Sequence, residues 1–436
     1  MKLHAFAAGL AISCVFPMFA GETLRLKLEP NREYVLAGSP QEVVIKIDLL
    51  AQAQKKGRKR PPLNLSVVLD RSGSMTGPKI EKARQAAVEL VDRLGPEDIF
   101  SFICYSDHAQ VVFPAQEVED KEALKERIMS IRPQGSTALY AGVQLGAKEI
   151  QKHFTSRLIN RVILLSDGLA NVGPNSPREL RQLGGTLSER GISVTTIGVG
   201  DDYNEDLMAG LAEASDANYY YVKDTEKLPE IFARELGEML DVAAREVRIE
   251  ITCPEGVHPM GFIGRSEQFQ GQSATIQLSQ LASAQDRYVF LRCRVEGNKP
   301  EVARVKIHYI DELNGGCEQS VTETATVRFT SDSKRAENSV KPEIAAERQL
   351  FATAIAKDEA LSCADAGQFD LAAQKLNAQI KALSFHYDKA PAPLQNTIRE
   401  EIKNLRLRSE QLEKNQYDSA TRKSLQSESW NLRNSK

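Results

Sequence analysis

The stretch LNLSVVLDRSGSMTGP, which runs from Leu63 to Pro78, decides the fold. Its first part is mainly apolar and ends at Asp70, which predicts a short strand buried on both faces. After Gly77 and Pro78, apolar residues return at helical spacing, from Ile80 onward. A buried strand that leads through a polar loop into an amphipathic helix is the first unit of a parallel sheet covered by helices.

The same alternation of apolar strands and amphipathic helices continues to residue 242. Further strands are predicted at 99–105, 111–113, 161–166, 192–199 and 219–222. This pattern favours a Rossmann-like α/β domain, in which helices flank a parallel sheet, over residues 63–242.

Strand-like segments without intervening helices lie on both sides of this domain. Residues 21–54 and 243–331 carry alternating apolar and polar side chains between turn signals, which predicts antiparallel strands. Because the short first group has no partner of its own, we predict that both groups form one β-sandwich into which the α/β domain is inserted. A basic linker over residues 55–62 and a helical region over residues 341–432 complete the predicted layout.

Oxygen-bearing side chains occupy the ends of several predicted strands. Asp70, Ser72 and Ser74 follow the first strand, Thr137 precedes a helix, and Asp167 follows another strand. The carboxyl ends of parallel strands meet at one edge of a sheet, so these side chains are expected to converge. Two carboxylates and three hydroxyls suit Mg²⁺, with Mn²⁺ or Ca²⁺ as alternatives, rather than zinc. A lone Asp-x-Ser-x-Ser sequence is more often a capped helix start, but five such residues on three segments favour a metal site.

The five positions resemble the metal-ion-dependent adhesion site of von Willebrand factor type A domains and integrin inserted domains. The resemblance extends over residues 63–242. It implies that the three hydroxyls bind the cation directly, Thr137 only in the open state, and that the two carboxylates act largely through waters. It also implies an open coordination position for an Asp or Glu carboxylate from a protein partner. Asp107 and the Asp201-Asp202 pair, on neighbouring loops, either frame that partner surface or only form turns.

The resemblance implies a metal-dependent protein-binding or adhesion module rather than an enzyme. The overall layout is similar to that of bacterial secreted proteins of this family, inter-alpha-trypsin inhibitor heavy chains and calcium-activated chloride channel regulators. The sequence has no P-loop, no nucleophile elbow and no zinc-protease motif. Two alternatives stay open: a scaffold subunit of an envelope complex whose metal only stabilises the fold, and, with less support, a metal-dependent hydrolase.

The N-terminal segment and the cysteines bear on the compartment. Residues 1–20 combine basic residues, an apolar run and a small-residue end, so we expect a cleaved signal peptide and a secreted or periplasmic protein without a transmembrane segment. Cys253 and Cys293 are the predicted disulfide because both follow the apolar parity of their strands, although Cys317 could replace either one. The balance of 56 basic against 59 acidic side chains gives no reason to expect nucleic acid as a partner.

Overall fold

The computed structural model describes residues 23–53, 60–265, 267–297 and 299–434. The predicted signal peptide and most of the predicted basic linker lie outside the described residues. The described chain begins with three strands, β1 (Leu24–Pro30), β2 (Tyr34–Leu36) and β3 (Gln41–Ala51).

The α/β domain follows, as predicted. Its strands are β4 (Leu63–Asp70), β5 (Ile99–Tyr105), β6 (Ala109–Glu117), β7 (Ile159–Ser166), β8 (Ser193–Val199) and β9 (Tyr219–Val222). They form one sheet in the order β6-β5-β4-β7-β8-β9, and all pairs are parallel except that of β5 with β6. This edge differs from the expected parallel sheet because the few residues between β5 and β6 are too short for a crossover and allow only a hairpin.

Helices cover both faces of this sheet. They are α1 (Pro78–Arg93), α2 (Lys121–Met129), α3 (Leu139–Gln151), α4 (Pro177–Glu189), α5 (Glu205–Ala214) and α6 (Leu228–Leu240). Apolar residues of α1, α2 and α6 share one core, and those of α3, α4 and α5 share another on the opposite face. Val67 and Val68 of β4 point into different cores, because successive side chains of a strand face opposite sides.

The antiparallel strands on both sides of the α/β domain form a single β-sandwich. The second group is β10 (Val242–Thr252), β11 (Val257–Phe262), β12 (Ser273–Ala282), β13 (Asp286–Val295), β14 (Glu301–Asp311) and β15 (Cys317–Thr326). The short β16 (Arg328–Thr330) instead pairs in parallel with β2 as a separate two-stranded sheet. The sheets β1-β3-β13-β11 and β12-β10-β14-β15 share one apolar core. β3 pairs with β13, with Ile47 opposite Val289, so the prediction that the α/β domain is inserted in the sandwich is confirmed. Val242 packs in the α/β core and Ala243 in the sandwich core, so the two domains are joined without a linker at this point.

The chain ends in a group of helices that contacts both domains. They are α7 (Ser333–Asn338), α8 (Pro342–Asp365), α9 (Phe369–Tyr387), α10 (Ala392–Glu413) and α11 (Ser419–Arg433). Ile344 and Phe351 of α8 pack on the sandwich residues Val44 and Phe290. Trp430 of α11 packs edge-on against Tyr219 of β9, with ring centroids 5.8 Å apart. Within the described ranges, no helix has the length and apolarity needed to cross a membrane.

Candidate metal centre

The loops that follow β4, β5 and β7 meet beyond the carboxyl ends of these strands, together with the loop between α2 and α3. The chain adds β5 on one side of β4 and later returns to add β7 on the other side, so the strand order reverses at β4. Ligands of open α/β sheets bind in the crevice at such a reversal. Backbone hydrogen bonds hold the loops together: Arg71 N–H donates to the Tyr105 carbonyl at 2.9 Å, Gly73 to Gly135 at 3.0 Å, and Gln134 to Arg71 at 2.7 Å.

Asp70, the last residue of β4, lies fully buried at the base of this crevice. Its Oδ1 accepts from the Ser72 backbone N–H at 2.8 Å, and its Oδ2 accepts from Ser166 Oγ at 2.8 Å. Burial outweighs these hydrogen bonds and raises the pKa of Asp70 to about 6. A divalent cation bound nearby would favour the charged carboxylate.

The three predicted hydroxyls face one point beside Gly168. A Cβ atom placed on Gly168 would lie 3.2 Å from Ser74 Oγ, 3.3 Å from Thr137 Oγ1 and 3.9 Å from Ser72 Oγ. The two serine hydroxyls are 3.0 Å apart. Because Gly168 carries no side chain, the backbone of the β7 loop approaches the hydroxyls closely, and Gly168 is therefore part of the site.

Asp167 is the second buried carboxylate, and both of its oxygens have partners. Ser74 Oγ donates to Oδ1 at 2.8 Å, and Lys79 Nζ, from the first turn of α1, lies 2.5 Å from Oδ2. Sequence reasoning missed Lys79. A signal was present, since a cation in the first turn of a helix is disfavoured by the helix dipole and needs compensation.

Asn171 and Asp107, which were not predicted as ligands, hold the loop that carries Thr137 in place. Asn171 Oδ1 accepts from the Thr137 backbone N–H at 2.8 Å, while the Thr137 carbonyl accepts from Asn171 N–H at 3.2 Å. Asp107 Oδ1 accepts from the Ser136 N–H at 2.9 Å, and Asp201 accepts from Tyr221 OH at 2.5 Å. Both acidic residues thus have local structural partners.

The structure brings the five predicted side chains together, and their chemistry fits a hard cation. Within the described part of the chain, no three His, Cys, Asp or Glu side chains cluster as a metal-binding group. The crevice instead offers two carboxylates and three hydroxyls, which is a donor set suited to Mg²⁺ or Mn²⁺ rather than to a soft metal. That these residues bind a cation stays a prediction.

Comparisons with known proteins agree with this architecture. The von Willebrand factor type A domain family matches residues 64–234. The uncharacterized protein sll0103 of Synechocystis sp. is 28% identical over 293 residues, which are 64% of this chain and 69% of that protein. The inter-alpha-trypsin inhibitor heavy chain H3 of Rattus norvegicus is 27% identical over 163 residues, which are 35% of this chain but only 18% of the heavy chain.

A solved structure shows the same fold over most of the chain. The von Willebrand factor type A protein from Catenulispora acidiphila superposes with a TM-score of 0.69, at 19% identity, over 86% of this chain and 89% of that one. At this identity the likeness establishes the fold alone.

Proposed function

Because residues 64–234 form a von Willebrand factor type A domain, we propose that the chain is an adhesion or protein-binding module whose partner binds through a divalent cation. In this proposal the cation, Mg²⁺ in the first place, is held by Ser72, Ser74 and Thr137 directly, and by Asp70 and Asp167 largely through waters. The partner supplies an Asp or Glu carboxylate. One observation carries the proposal: three hydroxyls from two separate loops face a single point beside Gly168.

The surroundings of the crevice support a protein partner rather than a small molecule. Ser74 is exposed, and Leu169, two residues after Asp167, has 59% of its surface exposed. An exposed apolar side chain beside a cation site suits a protein surface, in which an acidic side chain is surrounded by apolar contacts.

The open side of the crevice also argues against a purely stabilising metal. A cation that only stabilises a fold is best held in a closed cage of protein oxygens, whereas this donor set leaves room for a further ligand. We therefore place the scaffold role second. A metal-dependent hydrolase has less support, since the sequence has no P-loop, no nucleophile elbow and no zinc-protease motif.

The proposal is tested by calorimetric titration of Mg²⁺ and Mn²⁺ into the wild-type protein and into Asp70→Ala and Asp167→Ala. Both variants should lose cation binding and keep the fold, because β4 and β7 are held by apolar packing on both faces. Asp224→Ala is the matched control, since Asp224 is an exposed carboxylate beyond β9 that only caps a short helical turn. Unchanged affinity in both site variants would mean that the five positions do not form a metal site.

Partner binding is tested separately by affinity capture with and without a chelator. An adhesion module should lose its partner when EDTA is present and recover it with Mg²⁺. A scaffold subunit should keep its partner in EDTA.

We further propose that the protein acts outside the cytoplasm, in the periplasm or after secretion. The proposal depends on residues 1–20, so intact-mass measurement on exported protein tests it. A mature chain that begins near Gly21 is expected; retention of residues 1–20 would contradict it.

A further inference from the structure

The positively charged side chain of Lys79 lies directly beside the proposed metal site. Its ammonium lies 2.5 Å from Asp167 Oδ2, and only 23% of its side chain is exposed. A Cβ atom on Gly200 would lie 3.4 Å from Lys79 Cε and 3.5 Å from Nζ, so the loop after β8 runs directly alongside the ammonium. The side chain is held against the site rather than extended into solvent.

The position of the Lys79 ammonium at the N-terminus of α1 is unfavourable unless the Asp167 carboxylate compensates its charge. Lys79 is the second residue of the helix, directly after Pro78. The helix N-terminus carries a partial positive charge that repels an ammonium. The Arg71 guanidinium, which also lies near the crevice, faces the Gln134 side-chain oxygen at 2.7 Å and 3.1 Å, and its charge interacts with the Asp107 carboxylate. Lys79 is therefore the cation that neutralises Asp167.

This ion pair changes the charge of the site. Two carboxylates and one ammonium leave the protein part with a single net negative charge. A bound divalent cation then leaves one positive charge without compensation. We propose that Lys79 keeps the cation-loaded site electropositive, so that an anionic group of the partner is needed to neutralise it. This inference rests on the proposed function and deepens it, because it explains why the site recruits a carboxylate.

Removal of the ammonium should strengthen cation binding and weaken the need for the external carboxylate. A unit charge several ångströms from a dication, at the dielectric of a hydrated surface, changes the affinity about tenfold. Lys79→Met should therefore bind Mg²⁺ about tenfold more tightly than the wild type. Lys79→Arg keeps the charge and should bind Mg²⁺ as the wild type does.

The experiment is calorimetric titration of MgCl₂ into the full-length proteins, in sodium chloride and in sodium acetate of equal ionic strength. Acetate is the carboxylate probe, and it should tighten Mg²⁺ binding more in the wild type than in Lys79→Met. Lys82→Met is the matched control, since Lys82 lies one turn further along α1 and pairs with Glu226 at 2.7 Å, away from the site residues. Circular dichroism of each variant verifies the fold.

The outcomes separate this inference from the proposed function. Wild-type protein that binds Mg²⁺ with the same affinity and the same acetate dependence as Lys79→Met would overturn the role of Lys79 and leave the proposed function intact. Binding by Lys79→Met alone would show that the ammonium excludes the cation from the wild-type site, which would overturn both the inference and the proposed function. No binding by any of the proteins would overturn both.

Discussion

Glu235 of α6 joins this helix to three strands through one buried carboxylate, of which 1% is exposed. Its Oε1 accepts from Thr195 Oγ1 at 2.5 Å and lies 3.3 Å from Arg161 Nη1. Its Oε2 accepts from Asn218 Nδ2 at 2.7 Å and from Tyr220 OH at 3.1 Å. We predict that Glu235→Gln destabilises the α/β domain more than any other single change of charge on α6.

The expected loss of stability follows from the buried charge that the substitution leaves without a counter-ion. Arg161 is only 4% exposed, so it would keep a buried charge without a counter-ion. Removal of one partner of a buried ion pair costs about 3–5 kcal/mol. The glutamine amide would also point a donor at Asn218 Nδ2, which is itself a donor. We expect a loss of about 3 kcal/mol or more in the free energy of unfolding.

Guanidinium chloride unfolding, followed by circular dichroism and by tryptophan fluorescence, measures the effect. Trp430 is the single tryptophan of the sequence, and it packs on Tyr219 at the edge of the same domain. The control is Glu230→Gln, because Glu230 lies on the same helix, in its first turn, and is exposed. That change should cost at most about 1 kcal/mol. Equal losses in the two variants would refute the argument.

The same network sets the cost of moving α6. This helix leads into β10 through Asp241 alone, so a shift along the sheet on partner binding would reach the sandwich. Such a shift has to break the Glu235 contacts, and partner binding must favour the shifted position by at least that cost. A disulfide engineered between α6 and the sheet should therefore weaken partner binding and leave cation binding unchanged if the shift occurs. Unchanged partner affinity would mean that the module is rigid.

Three further predictions concern residues outside the metal site. Burial, together with a neighbouring carboxyl group, raises the pKa of Asp48 to about 7. The folded protein therefore holds the Asp48 proton more tightly than the unfolded chain does. The stability that this protonated side chain contributes is lost as the pH rises from about 4 to about 7. Asp48→Asn should remove that part of the pH dependence in unfolding measurements at pH 5 and pH 8, and an unchanged profile would contradict it. The Sγ atoms of Cys253 and Cys293 lie 3.8 Å apart in the sandwich core, so peptide mapping of exported protein under non-reducing conditions should recover them as one linked pair; two free thiols would exclude the disulfide. Lys357→Met should destabilise the helical region by about 3–5 kcal/mol, because the fully buried ammonium lies 2.7 Å from both Glu401 and Glu428; thermal unfolding measures this, and a loss below about 1 kcal/mol would show that the pairs are dispensable.

Local sequence patterns predicted most of the architecture, although not the antiparallel pairing of β5 with β6. Apolar runs ending at Asp70 and Ser166 predicted neighbouring buried strands, and the sheet-edge rule predicted that the polar residues beyond them converge. The alternation in residues 21–54 predicted strands that needed a partner, and β13 is that partner. These inferences succeed because strand and helix periodicity determine which side chains a single element buries.

Contacts between distant charged residues were decided by the tertiary structure alone. Lys79 and Asp167 are 88 positions apart, and their ion pair depends on how α1 packs beside the end of β7. Arg161 and Glu235 meet 74 positions apart, and Lys423 of α11 reaches Glu205 of α5 from 218 positions away. Apart from Asp167, each of these residues is indistinguishable in the sequence from an ordinary surface charge. Periodicity assigns a side chain to a face of its own element, but it carries no information about which opposite charge lies across the interface. Only the packing of the elements determines that partner, and with it the charge of the proposed metal site.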